Sequence, residues 1–235
     1  MRLLFLGNGP FAVPTLELLA KSKHTMVQVV TRPDRPQGKH RRIEPGPVRL
    51  AADQLHLPVM QPEDVNSVDF VEQLRAWDGD LLVVADFGQI LSPAALGTTR
   101  LGGINVHASL LPKYRGAAPV AWAIYHGDSV TGVSIIQMTP ILDAGGVILQ
   151  RAIPIGADET SGELEERLAQ LGGEMAIEAI DLLERGEAQV VPQAKEFVTK
   201  APRLKKEDGK IDWNRSAREI HDQVRSMSPW PVAST

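Results

Sequence analysis

The sequence contains no cysteine among its 235 residues, which excludes disulfide bonds and cysteine-ligated zinc sites. It also has no apolar run approaching the ~20 residues that a membrane-spanning helix needs. The apolar start of the chain is interrupted at Gly7 and Pro10, which is too early for a secretory signal peptide. Together these absences predict a cytoplasmic protein.

Aromatic residues are scarce as well, at 5% of the chain, whereas hydrophobic residues make up 43% and charged residues 23%. These proportions are ordinary for a globular protein, and 235 residues suffice for one large domain plus part of a second. The net charge of −4 hides a basic stretch between residues 32 and 49. Such a stretch can bind a polyanion locally even when the whole chain is mildly acidic.

Short apolar runs alternate with amphipathic segments along most of the sequence, and the two periods separate strands from helices. Strands are predicted at residues 3–6, 26–30, 58–60, 81–85, 103–107, 133–138 and 147–153. Helices are predicted at residues 14–21, 48–55, 68–77, 117–125 and 163–185, with Gly172 and Gly173 as weak points in the last one. This alternation predicts an α/β fold with a mostly parallel central sheet, whose ligands bind beyond the carboxyl ends of the strands.

The pattern changes after residue 188. Residues 189–207 show no sustained period and contain Pro192 and Pro202, which predicts a linker. A short strand at 211–213 and a helix near 217–227 follow, forming a unit too small to bury a core of its own. We therefore expect a catalytic domain at 1–188, a linker at 189–207 and the beginning of a C-terminal domain at 208–235.

Polar residues that could perform chemistry end one of the predicted strands. Asn105 and His107 are two residues apart, so their side chains face the same side of the strand near its carboxyl end. Asp143 lies in a predicted turn between two strands and is followed by small residues. Spacing alone leaves two interpretations open. The residues are catalytic, or the pair is satisfied by neighbouring loops and the aspartate only forms its turn.

The segment from Asn105 to Pro119 is more specific than its spacing. It reads Asn-Val-His-Ala-Ser-Leu-Leu-Pro-Lys-Tyr-Arg-Gly-Ala-Ala-Pro and resembles the signature of the folate-dependent formyltransferases. The resemblance implies a Rossmann-like formyltransferase fold, 10-formyltetrahydrofolate as co-substrate, no metal, and a catalytic trio of Asn105, His107 and Asp143. It also implies a folate pocket formed by two segments, which are Phe87, Gly88, Gln89, Ile90 and Leu91, and Ser109, Leu110, Leu111 and Pro112.

Other segments resemble the branch of this family that formylates methionyl-tRNA. They include Phe11-Ala-Val-Pro14, Leu204-Lys-Lys-Glu-Asp-Gly209 and Pro229-Trp-Pro231. The resemblance implies initiator methionyl-tRNA as the acceptor, for translation initiation, and a C-terminal tRNA-binding barrel, most of which this chain is expected to lack. We also expect a monomer. The residues of the basic stretch implied to contact tRNA are Arg35, Lys39, Arg41 and Arg42.

Some positions depart from the family pattern. Gly146 stands where the family has a second aspartate, and Phe87 stands where it has a tyrosine. The looser pattern around Asp143 resembles sugar-nucleotide N-formyltransferases, which use the same cofactor and remain an alternative. A formyl-folate hydrolase and a non-catalytic binding module are less favoured. An NADP-dependent oxidoreductase is a remote alternative, because Gly7-x-Gly9-x-x-Ala12 follows the first strand and Arg32 follows the second.

Overall fold

The computed structural model describes residues 1–37 and 42–235 of the chain. Its strands are β1 (Arg2–Gly7), β2 (Thr25–Val30), β3 (Pro36–Gln37), β4 (Arg42–Ile43), β5 (Val59–Met60), β6 (Leu81–Ala85), β7 (Gly103–His107), β8 (Arg115–Gly116), β9 (Val130–Gln137), β10 (Val147–Pro154) and β11 (Lys200–Ala201). Its helices are α1 (Ala12–Ala20), α2 (Pro47–Gln54), α3 (Val68–Ala76), α4 (Pro93–Leu96), α5 (Pro119–Tyr125), α6 (Ser161–Arg185) and α7 (Ala217–Ser226). Among the described residues, none of these helices combines the length and apolar character that crossing a membrane requires.

Seven strands form the central sheet, in the order β5-β2-β1-β6-β7-β9-β10. The five strands from β5 to β7 are parallel, whereas β9 and β10 are antiparallel to their neighbours. The prediction of an α/β fold with a mostly parallel sheet is therefore confirmed. Strand order reverses between β1 and β6, because β2 and β5 extend the sheet on one side and β7 extends it on the other. Ligands of such folds bind beyond the carboxyl ends of the strands at this reversal.

Helices cover both faces of the sheet. Helices α1, α2 and α6 pack on one face, around Phe5, Val83 and Val106. Helices α3 and α4 pack on the other face, around Leu4 and Leu82. Because β1 and β6 are buried on both sides, residues 3–6 and 81–85 are unbroken apolar runs and show no alternation.

Two glycines let helix α6 pack closely against its neighbours. A Cβ at Gly172 would lie 2.6 Å from Val106 Cγ1, and a Cβ at Gly173 would lie 2.7 Å from Leu18 Cδ1 and 3.1 Å from Thr15 Cα. Helix α6 runs unbroken through both positions. The expectation that they are weak points is wrong, because contact with β7 and α1 offsets the low helix propensity of glycine, a cost of about 1 kcal/mol each.

The C-terminal region differs from the sequence prediction in one element. The strand expected at residues 211–213 is wrong, because Asp212 begins a turn in which its carboxylate accepts a hydrogen bond from Asn214 N at 3.0 Å. The helix expected near 217–227 is confirmed as α7, which packs on α5. The short elements β3, β4, β8, β11 and α4 were not predicted, because segments of two to four residues carry no readable period.

Residues 189–207 lie along the sheet-containing part of the molecule. Strand β11 pairs in parallel with β8, and Val191 forms an isolated antiparallel bridge with Val147. The Thr199 hydroxyl accepts a hydrogen bond from Tyr114 N at 2.8 Å. This segment is therefore attached at several points. The division into three domain regions stays a prediction.

Candidate active site

A cavity of about 750 Å³ lies beyond the carboxyl ends of β6 and β7, next to the reversal of strand order. Its walls come from the loop after β6, the loop between β9 and β10, the first turns of α6, and the chain around Leu204 and Trp230. Asn105, His107 and Asp143 all line this cavity. The structure thus brings the three residues predicted to be catalytic into one place.

His107 ends strand β7 with its ring buried. Its Nε2 lies 2.9 Å from the Tyr114 carbonyl oxygen, and its Nδ1 lies 3.6 Å from Asp143 Oδ1. A carbonyl oxygen can only accept, so Nε2 donates to it. The separation of 3.6 Å between Nδ1 and Asp143 Oδ1 is too long for a hydrogen bond, so Nδ1 is free to contact an atom of a substrate.

Asn105 lies two residues before His107 on the same face of β7. It is paired in register with Val84 on β6 and with Ile136 on β9, both of which are buried and apolar. Its half-buried side chain makes no hydrogen bond within the part of the chain that the structure describes. An unpaired amide beside a catalytic-type histidine is available to donate to a ligand in the cavity.

Asp143 is held from two directions in the turn between β9 and β10. Its Oδ2 accepts a hydrogen bond from Gly116 N at 2.8 Å. The amide of Gln193 donates to the carbonyl oxygens of Asp143 at 2.8 Å and Gly145 at 2.7 Å, while its own Oε1 accepts from Arg115. These bonds stabilise the left-handed backbone of Asp143, which has φ 50°. Sequence analysis missed Gln193, because it lies in a segment with no period or motif.

Gly146 packs against the chain that follows α6. A Cβ at this position would lie 2.3 Å from Val190 Cγ1 and 3.3 Å from the Val191 carbonyl oxygen. An aspartate at position 146 would therefore require residues 190–191 to move. Position 146 is glycine in this chain, where the family pattern has aspartate, and residues 190–191 pack closely against it.

The loop after β6 forms an apolar wall of the cavity. All five residues predicted to contact folate there, residues 87–91, line the cavity. Phe87 is buried, and Ile90 is exposed at the rim. Gln89 fixes the loop, because its Oε1 accepts a hydrogen bond from Val65 N at 3.0 Å. A preformed apolar wall with a few fixed polar groups is typical of small-molecule sites.

The second predicted folate segment, residues 109–112, is fixed in a turn against β9. The Ser109 hydroxyl donates to the Lys113 carbonyl oxygen at 2.7 Å. The Ser134 hydroxyl accepts from Leu111 N at 3.1 Å and donates to the Ser109 carbonyl oxygen at 2.6 Å. Of the described residues, those that line the cavity do not include 109–112. Their contact with folate stays a prediction.

Most of the predicted tRNA-binding residues cannot be placed. Lys39, Arg41 and the side chain of Arg42 lie outside the described residues. Arg35 is exposed and forms an ion pair with Glu63. The role of this basic stretch stays a prediction.

The turn after β1 does not suit a dinucleotide phosphate. The backbone N–H groups of Asn8 and Gly9 donate to the Asp86 carbonyl oxygen at 3.1 and 3.4 Å, so they are not free to bind an anion. A Cβ on Gly9 would lie 1.8 Å from Asp86 Oδ2, which places a carboxylate directly over the turn. This arrangement contradicts the oxidoreductase interpretation, since phosphate cradles need free N–H groups and no nearby negative charge.

Three charged groups line the side of the cavity nearest α6: Asp86, Glu165 and Arg203. Asp86 is exposed where its carboxyl opens on the cavity, yet desolvation by the neighbouring protein atoms raises its pKa to about 6 against the attraction of Arg203. Desolvation, together with the charge of Asp86, also raises the pKa of Glu165. That these three charges come together was not predicted from the sequence. The available signal was an acidic residue directly after the buried strand β6, at the edge where ligands bind.

Comparison with known proteins identifies the family. Residues 1–180 match the family model described as formyl transferase, and residues 203–235 match its C-terminal domain. The chain belongs to the formyl transferase family. It is 47% identical to the methionyl-tRNA formyltransferase of Citrifermentans bemidjiense, over 99% of this chain and 73% of that protein. It is 43% identical to the methionyl-tRNA formyltransferase of Geobacter sulfurreducens, over 100% of this chain and 74% of that protein.

The formyl transferase fold recurs in solved structures. An N-formyltransferase from Helicobacter canadensis, in complex with folinic acid and dTDP-3-aminofucose, superimposes with a TM-score of 0.75 at 20% identity. The alignment covers 95% of this chain and 79% of that one. At this identity the likeness shows the fold alone, and it confirms the Rossmann-like formyltransferase fold expected from the sequence.

Proposed function

We propose that this chain transfers the formyl group of 10-formyltetrahydrofolate to the α-amino group of methionine on initiator tRNA, for translation initiation. The observation that carries the proposal is its identity of 43–47% to methionyl-tRNA formyltransferases over almost the whole chain. The trio of Asn105, His107 and Asp143 in one cavity supports it. The reaction forms a bond between the acceptor nitrogen and the formyl carbon, and it breaks the bond between that carbon and N10 of the folate.

The main demand on the protein is the charge that develops on the formyl oxygen. The acceptor amine is a competent nucleophile near neutral pH, because an α-amino group has an ordinary pKa of about 8. The tetrahedral intermediate, however, carries an oxyanion that needs preorganised donors. Asn105 supplies an unpaired amide N–H, and His107 supplies its free Nδ1–H. Each such donor contributes about 100- to 1,000-fold to the rate.

Asp143 acts on His107 and on the acceptor. Its Oδ1, 3.6 Å from His107 Nδ1, stabilises the imidazolium, and its Oδ2 is anchored by Gly116 N. As the amine attacks, Asp143 accepts the proton that the nitrogen loses, directly or through water, and N10 of the folate receives a proton as it leaves. General-base assistance of this kind contributes about 100- to 10,000-fold.

Different residues bind the two substrates. Residues 87–91 form the wall that holds the folate, and their apolar character suits a flat heteroaromatic ring. Phosphates of the tRNA are neutralised by Arg35, Lys39, Arg41 and Arg42, so activity falls steeply as the salt concentration rises.

We further propose that the protein is a monomer and acts in the cytoplasm. Light scattering tests the first point and cell fractionation tests the second.

Charge reversal separates the role of the basic stretch from the chemistry. In the double variant R41E/R42E, the KM for methionyl-tRNA rises and its dependence on salt becomes weaker, while folate affinity is unchanged. The matched control is R75E/R100E, because both residues are exposed and Arg100 pairs with Asp80 at the amino end of β6, at the opposite edge of the sheet. An equal loss of folate and tRNA binding contradicts the role of the stretch.

The decisive experiment measures formyl transfer from 10-formyltetrahydrofolate to charged initiator methionyl-tRNA, with an amino-sugar nucleotide as the parallel acceptor. Transfer to the tRNA alone is the expected result. The second candidate, a sugar-nucleotide N-formyltransferase, is favoured by the amino-sugar nucleotide in the Helicobacter canadensis complex and by Gly146. Transfer to the sugar alone retains the trio and its chemistry but rejects the proposed acceptor.

A further inference from the structure

The cavity extends across the carboxyl edge of the sheet and has two halves, with the catalytic trio between them. The donor half lies on the α3–α4 face of the sheet, where Phe87 and Leu91 pack with Val84. The α6 half lies on the opposite face, where Phe11 packs with the core of α1 and α6. The α6 half is lined by Phe11, Asp86, Ser161, Glu165, Arg203 and Trp230. A transferase needs room for two reactants, and the folate wall occupies one half only.

Asp86 follows strand β6 at the carboxyl edge of the sheet, where the proposed catalytic trio also lies. Ala85, the last residue of β6, pairs with Val106, the residue before His107. The Asp86 carboxylate lies over Gly9, where a Cβ would fall 1.8 Å from its Oδ2. Within the described residues, the side chains of Asp86 and Glu165 make no hydrogen bond. Carboxylates that line a cavity and are left without donors are positioned for a donor that the ligand brings.

The remaining lining of the α6 half is apolar. Phe11 is buried at its base, and the ring of Trp230 is half-exposed at its mouth next to Pro229. The charges of Asp86, Glu165 and Arg203 sum to −1 when all three are ionised. A pocket with this net charge and aromatic walls matches a ligand that carries one amino group and an apolar side chain.

We propose that the α6 half binds the aminoacyl end of the acceptor, with Asp86 holding its α-amino group and Phe11 and Trp230 contacting its apolar side chain. Glu165 supplies a second carboxylate to the same half of the cavity. This inference rests on the proposed function, since methionine attached to tRNA offers an α-amino group and an apolar thioether. Because the pKa of Asp86 is about 6, its carboxylate is ionised at neutral pH and accepts N–H donors from the amine in either protonation state.

The test compares isosteric variants that remove charge and keep shape. Initial rates are measured at saturating 10-formyltetrahydrofolate with varied methionyl-tRNA, for the wild type, D86N, E165Q and the control E166Q. Glu166 is the adjacent residue on α6 and is exposed to solvent. In D86N the KM for methionyl-tRNA rises about tenfold to a hundredfold, the effect of losing a charge-assisted hydrogen bond, while folate affinity is unchanged. E165Q changes KM in the same direction, and E166Q behaves as the wild type.

A second probe isolates the amino group. Initiator tRNA charged with the α-hydroxy analogue of methionine serves as a competitive inhibitor. The wild type binds methionyl-tRNA more tightly than this analogue, and D86N loses that preference, which a merely structural role of Asp86 would leave intact.

In the wild type alone, the KM for methionyl-tRNA also rises as pH falls below about 6, because Asp86 is then protonated. The other titratable groups that line the cavity are Glu165, Arg203, His107 and Asp143.

The outcomes distinguish this inference from the proposed function. If the wild type does not formylate methionyl-tRNA, both are overturned. If the wild type formylates it and D86N keeps the wild-type KM and the preference for the amino group, the inference alone is overturned. A D86N variant that loses folate affinity to the same degree also overturns it, because the effect then is not specific to the acceptor.

Discussion

The two halves of the cavity differ in how their polar groups are satisfied. Around the trio and the folate wall, the chain itself holds most polar groups: His107 donates to Tyr114, Asp143 accepts from Gly116, and Gln89 fixes the wall. The Asn105 amide is the exception, since it makes no hydrogen bond among the described residues. In the α6 half, the carboxylates of Asp86 and Glu165 have no hydrogen-bond donor among the described residues. The first arrangement suits groups that must be oriented before the reaction begins. The second suits groups whose partner is the ligand.

This difference predicts two kinds of kinetic effect. Changes to residues that orient the trio lower kcat, because they remove stabilisation made only in the transition state. Changes in the α6 half raise the KM for the acceptor, because they remove contacts already made in the bound ground state. Variants of each half test whether the effects on kcat and on KM separate in this way.

The largest effect is expected for His107→Ala. The substitution removes the proposed oxyanion donor, so the single-turnover rate falls about 100- to 1,000-fold, while folate affinity and the KM for methionyl-tRNA are retained. Rapid-quench measurement of one turnover checks the prediction. His221→Ala is the matched control, since His221 is half-exposed on α7 and lies outside the cavity lining. A near-normal single-turnover rate in His107→Ala rejects the proposed mechanism.

The next effect is expected for Gln193→Ala. Its amide bonds to the carbonyl oxygens of Asp143 and Gly145 position the turn that carries Asp143. Loss of these bonds lowers kcat about tenfold and leaves the KM for methionyl-tRNA unchanged. Steady-state kinetics provides the measurement, and Gln189→Ala, an exposed glutamine in the same segment, provides the control. A change in KM at constant kcat contradicts a positioning role.

The sequence predicted those parts of the fold and the site that depend on local pattern. Strand β6 is an unbroken apolar run, and the same-face placement of Asn105 and His107 on β7 follows from the two-residue period of a strand. Gln193 and Asp86 could not be placed in this way. Gln193 reaches Asp143 across 50 residues of chain, and Asp86 acquires its surroundings from Gly9 and Glu165 only once the sheet is formed. Contacts of this kind arise from tertiary packing and leave no periodic signal.

A smaller effect is expected for Gly9→Ala. The new Cβ would lie 1.8 Å from Asp86 Oδ2, so the carboxylate must move away from its place over the turn. A displaced carboxylate still reaches the amine through water, and the KM for methionyl-tRNA rises only about threefold.

Two further variants check the cause of that change. In the background of Asp86→Ala, Gly9→Ala should have no additional effect on KM, because the two changes then act through the same group. Gly46→Ala is the control, since a Cβ there meets Asn8 O at an ordinary 3.9 Å. Full additivity of Gly9→Ala and Asp86→Ala contradicts a shared cause.

The smallest effect concerns the free energy of unfolding, because ionisation of an unpaired carboxylate destabilises the folded state. The pKa of Asp86 is raised from 3.8 to about 6, so the folded state favours the protonated form. The associated stability is fully present below pH 3.8 and is lost as pH rises through 6. Asp86→Asn removes the ionisation and should stabilise the protein at pH 7.5 by on the order of 1 kcal/mol, allowing for the contact of this group with solvent.

Thermal unfolding of the wild type and Asp86→Asn across this pH range checks the sign. At pH 7.5 the variant should unfold about 2–4 °C higher, and the difference should close as pH falls from 6 to below 4. Glu166→Gln should show no such pH-dependent difference, because Glu166 is exposed on α6. A variant that is more stable and binds the acceptor more weakly would mean that Asp86 is retained for the ligand at the expense of the fold. A variant that is less stable at pH 7.5 would mean that the carboxylate has a structural partner, and the contrast between the two halves would no longer hold.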